Sequence, residues 1–162
     1  MKTSLPSFNA SKEDAVKRGA KIVLTASATE MSDVYNSQFL AFAGGFSKGP
    51  IPLGLSRKQL YPPVESNYEK TAKYAPYGLR KVEAALLENG FDRSDIAVVH
   101  PYHLSVFIGS YTKVVGISTM DPLGTGYVSK TYSSLVGGGE PINSIEFRKL
   151  MRQKASKCTS LR

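Results

Sequence analysis

The stretch Lys113-Val-Val-Gly-Ile-Ser-Thr-Met-Asp-Pro-Leu-Gly-Thr-Gly126 constrains the fold more than any other part of the chain. Val114, Val115 and Ile117 form a short apolar run without polar alternation, the pattern of a parallel strand covered on both faces. That run passes directly into hydroxyl-bearing, acidic and glycine residues. In open parallel sheets ligands bind outside the carboxyl ends of the strands. Ser118, Thr119, Met120, Asp121, Gly124, Thr125 and Gly126 are therefore the first candidate ligand contacts.

Two other runs share this character. Lys21-Ile-Val-Leu-Thr-Ala-Ser27 and Asp95-Ile-Ala-Val-Val-His100 are compact, apolar and end in small or polar residues. Between them the apolar positions Met31, Val34, Tyr35, Phe39, Leu40, Phe42 and Ala43 recur at helical spacing, and Gly44-Gly45 closes them as a C-cap would. A second helix is expected from Pro76 through Leu79, Val82, Ala85 and Leu86 to Asn89-Gly90, with the proline in the first turn. A short turn or helix follows from Tyr102 to Ile108. A last helix opens near Asn143, with Glu146 as a capping partner and Ile145, Phe147, Leu150 and Met151 as its apolar stripe. Residues 46–76 carry Pro50, Pro52, Pro62, Pro63 and Pro76, a density that forbids regular helix. The passage between Ser118 and the last helix, with Gly124, Gly126 and Gly137-Gly138-Gly139, reads as a long loop.

Strands alternating with helices imply a parallel sheet with right-handed crossovers. The fold class is α/β, a three-layer Rossmann-like, flavodoxin-like arrangement. Three strands are few for it, so either one is hidden or the sheet is cut short. Residues 1–20 read as a polar lead-in, 21–151 as one domain and 152–162 as a basic tail.

At 162 residues, 41% of them hydrophobic, the chain suffices for one core. Its longest apolar stretches are only a few residues, which leaves no readable membrane span or signal peptide, and the cytoplasm is the expected location. Cys158 is alone, so it forms no internal disulfide and cannot by itself hold zinc or an iron–sulfur cluster. Of the net charge of +8, six charges come from Arg148, Lys149, Arg152, Lys154, Lys157 and Arg162, after Glu146 and with no acid among them. Such an end suits an acidic partner, a phosphate-bearing ligand or nucleic acid; equally it is a solvated helix face.

Several strings, in order, resemble one family. They are Lys21-Ile-Val-Leu-Thr-Ala26, Met31-Ser32 with Phe39-Leu-Ala-Phe42, Tyr61-Pro-Pro-Val64, Ala75-Pro-Tyr-Gly-Leu-Arg-Lys-Val-Glu-Ala-Ala-Leu-Leu87, Asn89-Gly-Phe91, His100-Pro101 with His103-Leu104, Ile108-Gly109, Thr112 to Thr119, Asp121-Pro-Leu-Gly124 and Gly137-Gly-Gly-Glu-Pro141. Together they cover about residues 21–150. The chain resembles the amino-terminal, cobalamin-binding-type domain of a group of B12-dependent radical S-adenosylmethionine proteins of archaea and anaerobic bacteria. The resemblance implies a domain that holds cobalamin beside a radical S-adenosylmethionine barrel, on the same chain or another subunit, where a methyl group or an electron passes between the corrin and a radical reaction. The barrel's cluster needs three closely spaced cysteines, which this chain lacks, so no iron–sulfur cluster is expected on it and the domain is not catalytic alone.

Many cobalamin folds carry an Asp-x-His-x-x-Gly loop after the first strand. Here that loop reads Thr25-Ala-Ser-Ala-Thr-Glu30, so histidine ligation from it is not expected. Ser118-Thr119-Met120 resembles the Ser-x-Leu signature at which a hydroxyl meets the lower tail of the corrin. Gly137, Gly138 and Gly139 are further candidate contacts to a phosphate or corrin edge, or else a flexible connection. The rival function is a regulatory or interaction module that keeps the fold without the cofactor and docks a partner through its basic end. His100 and His103 lack a third ligand or paired carboxylate and are expected to be structural. Tyr61, Tyr68, Tyr74 and Tyr77 with Arg57, Lys58, Lys70 and Lys73 suit single-stranded nucleic acid, but the favoured reading is that these tyrosines staple the proline-rich segment to its own domain.

Overall fold

The computed structural model describes residues 19–32, 42–47, 61–67 and 70–160, with the backbone alone at 42–43 and 154–160. Most of the helix expected over Met31–Ala43, together with Arg57, Lys58 and Tyr68, lies outside the described residues. At its two edges the structure shows a turn at Met31 and a 3₁₀ helix at Phe42–Gly45.

Three parallel strands form the sheet: β1 Ile22–Ala26, β2 Ile96–Val98 and β3 Val114–Ser118, in the order β2-β1-β3. The register pairs Ile22 with both Ile96 and Val114, and Ala26 with Ser118. The helices are α1 Tyr77–Glu88, α2 Leu104–Phe107, α3 Tyr127–Leu135 and α4 Ile142–Ser160. The order β2-β1-β3 is that of the first strands of a flavodoxin-like sheet, whose strand order reverses between β1 and β3.

Side chains alternate across a strand, and this divides the core in two. Ile22, Leu24, Ala26, Ile96 and Val98 face one side, where Met31, Val64, Ala72 and Leu79 of α1 cover them. Val23, Ala97 and Val99 face the other, against Leu104 of α2 and Leu150 of α4. The result is three layers, helix, sheet and helix. β1, flanked by strands and covered on both faces, is buried throughout. Filling one such site with a Val, Leu or Ile side chain contributes about 1.5–3 kcal/mol, so this central strand supplies much of the folding free energy.

β3 departs from the expectation of a strand covered on both faces. Val114 is 54% exposed and the rest of the strand half-buried. The cause is its position: β3 is an outer strand, and of its side chains Val115 and Ile117 pack onto the core beside Val99 and Leu150. The second departure is α3, a helix inside what reads as a long loop. Its inward positions are Ser129 and Ser133, four residues apart, and Tyr132 stacks on Phe46 with ring centroids 4.9 Å apart. The buried positions of this helix are serines, so the face it packs inward leaves no apolar stripe in the sequence.

α4 also differs in its contacts. It starts at Ile142, so Asn143 lies inside the first turn, and it continues to Ser160 through most of the segment expected as a tail. Its inward side is Ile142, Ser144, Glu146 and Leu150, while Met151 is 42% exposed. A serine and a carboxylate therefore occupy the face where an apolar stripe is expected. Among the described residues no helix is long and apolar enough to cross a membrane.

Candidate functional site at the carboxyl edge of the sheet

The loops leaving β1 and β3 meet. Past Ala26 the chain turns through Ser27, Ala28, Thr29 and Glu30, with the Glu30 and Met31 N–H groups donating to the Ser27 carbonyl. Glu30 then reaches across the strand gap, and its Oε1 accepts the Met120 N–H at 3.1 Å. Burial raises the Glu30 carboxyl above its ordinary value, against the opposing pull of bonds from the Met120 N–H and from the Thr119 and Ser27 hydroxyls. A half-buried carboxyl thus bridges the two loops at the topological switch point, where ligands bind in sheets of this order.

Ser118 and Thr119 are half-buried in this bridge, and Met120 is 85% exposed. Asp121 turns inward on its own loop. Its Oδ1 accepts the N–H groups of Thr125 at 3.0 Å and Gly126 at 3.2 Å, which caps the start of α3. Burial raises its carboxyl, but the bonds from the Ser129 hydroxyl and from the N–H groups of Gly126, Thr125 and Gly124 outweigh it and hold the group below its usual range. Gly124 has φ +67°, and a methyl group there would come within 2.6 Å of Ser144 Oγ and 2.8 Å of Pro141. Glycine at this position allows the loop to lie flush on the first turn of α4.

Gly137-Gly138-Gly139 serves a different place. The Gly138 N–H donates to the Ser133 carbonyl at 2.7 Å and the Gly137 N–H to Ser134 at 3.3 Å, the paired bonds of a Schellman C-cap on α3. All three glycines have positive φ. A methyl group at Gly137 or Gly138 would meet nothing within 4 Å, whereas one at Gly139 would meet Ser47 at 3.5 Å. Of the predicted residues the structure therefore brings Ser118, Thr119 and Met120 together with the β1 loop and folds Asp121, Gly124, Thr125 and Gly126 onto the starts of α3 and α4, while the triplet closes α3 and leads into α4, where Arg148 pairs with Glu140.

Further buried polar groups lie around the start of α4 and the end of β2. Ser47 Oγ, Tyr61 OH, His100 Nε2 and Ser144 Oγ are buried without a hydrogen-bond partner. Burial, and after it the negative charge of Glu146, pushes the Tyr61 phenol up to about 12. His100, at the end of β2, accepts the Tyr102 N–H on Nδ1, which leaves the proton of the neutral ring on Nε2. Burial, and secondarily the neighbouring His103, lowers the His100 ring to about 4. The cavity here, between Ala28, Pro101, Tyr102, Glu146 and Leu150, measures only about 10 Å³, at the lower limit for one water. α4 therefore closes directly over the tips of β1 and β2, and the approach left to the edge among the described residues is past Met120, Asp121 and Leu123, the last 76% exposed.

No group of three or more His, Cys, Asp or Glu side chains among the described residues is arranged to hold a metal ion. No protein-family model, curated protein or solved structure matches the chain.

Proposed function

We propose that this chain is a ligand-binding α/β module that takes a cofactor at the β1/β3 switch point, with cobalamin as the ligand. The observation that carries the reading is the junction of the two loops, Ala26 in register with Ser118 and Glu30 bound to the Met120 N–H. The hydroxyls of Ser118 and Thr119 offer donors and acceptors for the amide side chains and phosphate of a corrin. Gly124, flush against Ser144 and Pro141, anchors the far end of this loop on α4. Glu30, its carboxyl raised by burial, would meet the same ligand from the β1 side.

In this reading cobalamin would be held without a protein imidazole. His100 is 1% exposed and its Nδ1 is taken by the Tyr102 N–H, so it has no lone pair to offer the metal in that tautomer. Bound cobalamin supplies methyl or electron transfer. The chain's own contribution is to orient the ring and to keep water from the Ser118 side, and a separate catalytic domain or subunit would complete the reaction.

The rival reading, an interaction module without cofactor, is favoured by α4 continuing as regular helix to Ser160, which sets the basic end on an ordered element. One experiment separates them. The purified chain is incubated with hydroxocobalamin, passed through gel filtration and its visible spectrum recorded. Co-eluting corrin absorbance that Ser118→Trp abolishes supports the cofactor reading. Colourless protein refutes it, and retention unchanged in Ser118→Trp removes Ser118 from the site.

A further inference from the structure

A larger concavity lies away from the carboxyl edge, on the outer side of β2 beneath α1. It measures about 720 Å³, inside the ~300–1,000 Å³ typical of small-molecule sites. Ala72, Ile96 and Val98, all buried, make an apolar floor. Asn67, Lys73, Arg80, Glu83, Arg93 and Ser94 make a polar rim.

Three cations from three separate segments converge on this rim, and they are not equivalent. The Glu83 carboxylate, buried, lies between two of them: Oε2 accepts from Arg80 Nη1 at 2.7 Å and Oε1 from Arg93 Nη1 at 2.5 Å. Arg80 spends its Nη2 on the carbonyls of Ala72 and Lys73, at 2.8 and 3.0 Å, and so tethers the loop to α1. Lys73 is drawn off by Glu65 at 2.8 Å. Among the described residues Arg93 is held by one side-chain bond alone. Its side chain is 67% exposed, and its Nε and Nη2 donors have no partner among the described residues. Glu83 therefore fixes the plane of the Arg93 guanidinium while leaving most of its fork open, next to the exposed Ser94 hydroxyl. One carboxylate against two guanidiniums leaves a positive charge over an apolar floor.

We infer that this groove binds a small organic anion, with its carboxylate or phosphate oxygens on Arg93 and Ser94 and its apolar body against Ile96 and Val98. The planar fork of arginine suits either oxyanion. The site is separate from the β1/β3 edge and stands whether or not cobalamin binds there.

The test is a two-dimensional ¹H–¹⁵N spectrum of the full chain, arginine Nε–H signals included, titrated with phenyl phosphate, benzoate and inorganic phosphate. Saturable shifts are expected at Arg93 Nε–H, Ser94 and the amides of β2. The aromatic anion that saturates first identifies the head group, and inorganic phosphate binds about tenfold more weakly or worse because it leaves the floor uncovered. Ser94→Glu places a carboxylate where the ligand's would lie, leaves both Glu83 ion pairs in place, and raises the Kd at least tenfold with an unchanged melting curve. Arg93→Lys keeps the charge but loses the fork, and weakens binding as well. Shifts that never saturate, that spread over all basic regions alike, or that survive Ser94→Glu overturn the inference. A single-stranded oligonucleotide that displaces phenyl phosphate at equal phosphate concentration overturns the small-molecule assignment.

Discussion

His100 makes the folded protein sensitive to mild acid, and His100→Asn removes that sensitivity. The ring is 1% exposed, and desolvation, with the nearby His103 adding to it, depresses its folded value from 6.5 to about 4. Above both values the ring is neutral in folded and unfolded chains and pH has no leverage. As the pH falls below 6.5 the unfolded chain takes up a proton that the folded chain refuses, so the stability present at neutral pH is lost down to about pH 4. Each pH unit of separation corresponds to about 1.4 kcal/mol, which makes the full loss about 3 kcal/mol for this one residue. That is a large share of a typical stability of ~5–15 kcal/mol. Asparagine preserves the structural role, since its Oδ1 replaces Nδ1 as acceptor for the Tyr102 N–H at the start of the 3₁₀ turn Pro101–His103. The smaller side chain shifts stability by a constant at every pH. Urea unfolding at several pH values between about 4 and 7 gives both profiles. The wild type should lose about 3 kcal/mol more than the variant across this interval. Parallel profiles would refute the reasoning and show that the ring titrates freely in the native state.

Gly124→Ala should cost about 1–3 kcal/mol, because the added methyl meets Ser144 Oγ and Pro141 at a positive φ; a lowered Tm in calorimetry checks it, and an unchanged one contradicts the packing of this loop on α4. Glu83→Ala should cost about 2 kcal/mol in urea unfolding, toward the low side for a broken buried pair because the Arg93 partner is largely exposed. Glu30→Gln keeps the acceptor for the Met120 N–H but cannot ionise. Since the folded carboxyl lies above its ordinary value, the stability it contributes is full below 4.5 and is lost as pH rises through the folded value, so the variant gains on the wild type over that rise. A difference between the two that does not vary with pH would contradict the burial of Glu30.

The parts of this structure legible in the sequence are those where the core dictates residue type. The runs around Val23 and Ala97 are apolar because they sit between two helical layers, the run around Val115 because Val115 and Ile117 pack onto one of the two core clusters, and α1 shows its inward Leu79 and Leu86 at helical spacing. Elements held by small polar residues were not legible. α3 packs through Ser129 and Ser133, and a stretch of serines between glycines looks the same as a loop. The inward face of α4 carries Ser144 and Glu146, so of the expected stripe Leu150 is buried, Ile145 and Phe147 are half-buried and Met151 is exposed.

The candidate site divides in the same way. The expectation that ligand contacts follow β3 comes from the strand-to-loop transition at Ser118, which any parallel strand of this kind displays. That Glu30 completes the site depends on β1 and β3 being neighbours, a fact of topology invisible along the chain; the available signal was the rule that loops at strand carboxyl ends share one crevice, applied to the loop after β1. Asp121 and Gly137 also hold the two ends of α3, and sequence alone does not separate that role from ligand contact, because caps and ligand loops use the same residues.

The most direct test of the switch-point site is the map of backbone amide shifts when hydroxocobalamin is added to the labelled chain. The account predicts changes concentrated at residues 27–30 and 118–126, with Glu30 and Met120 moving together. Changes confined to the β2-edge groove or to the basic end of α4, or none at all, would contradict it.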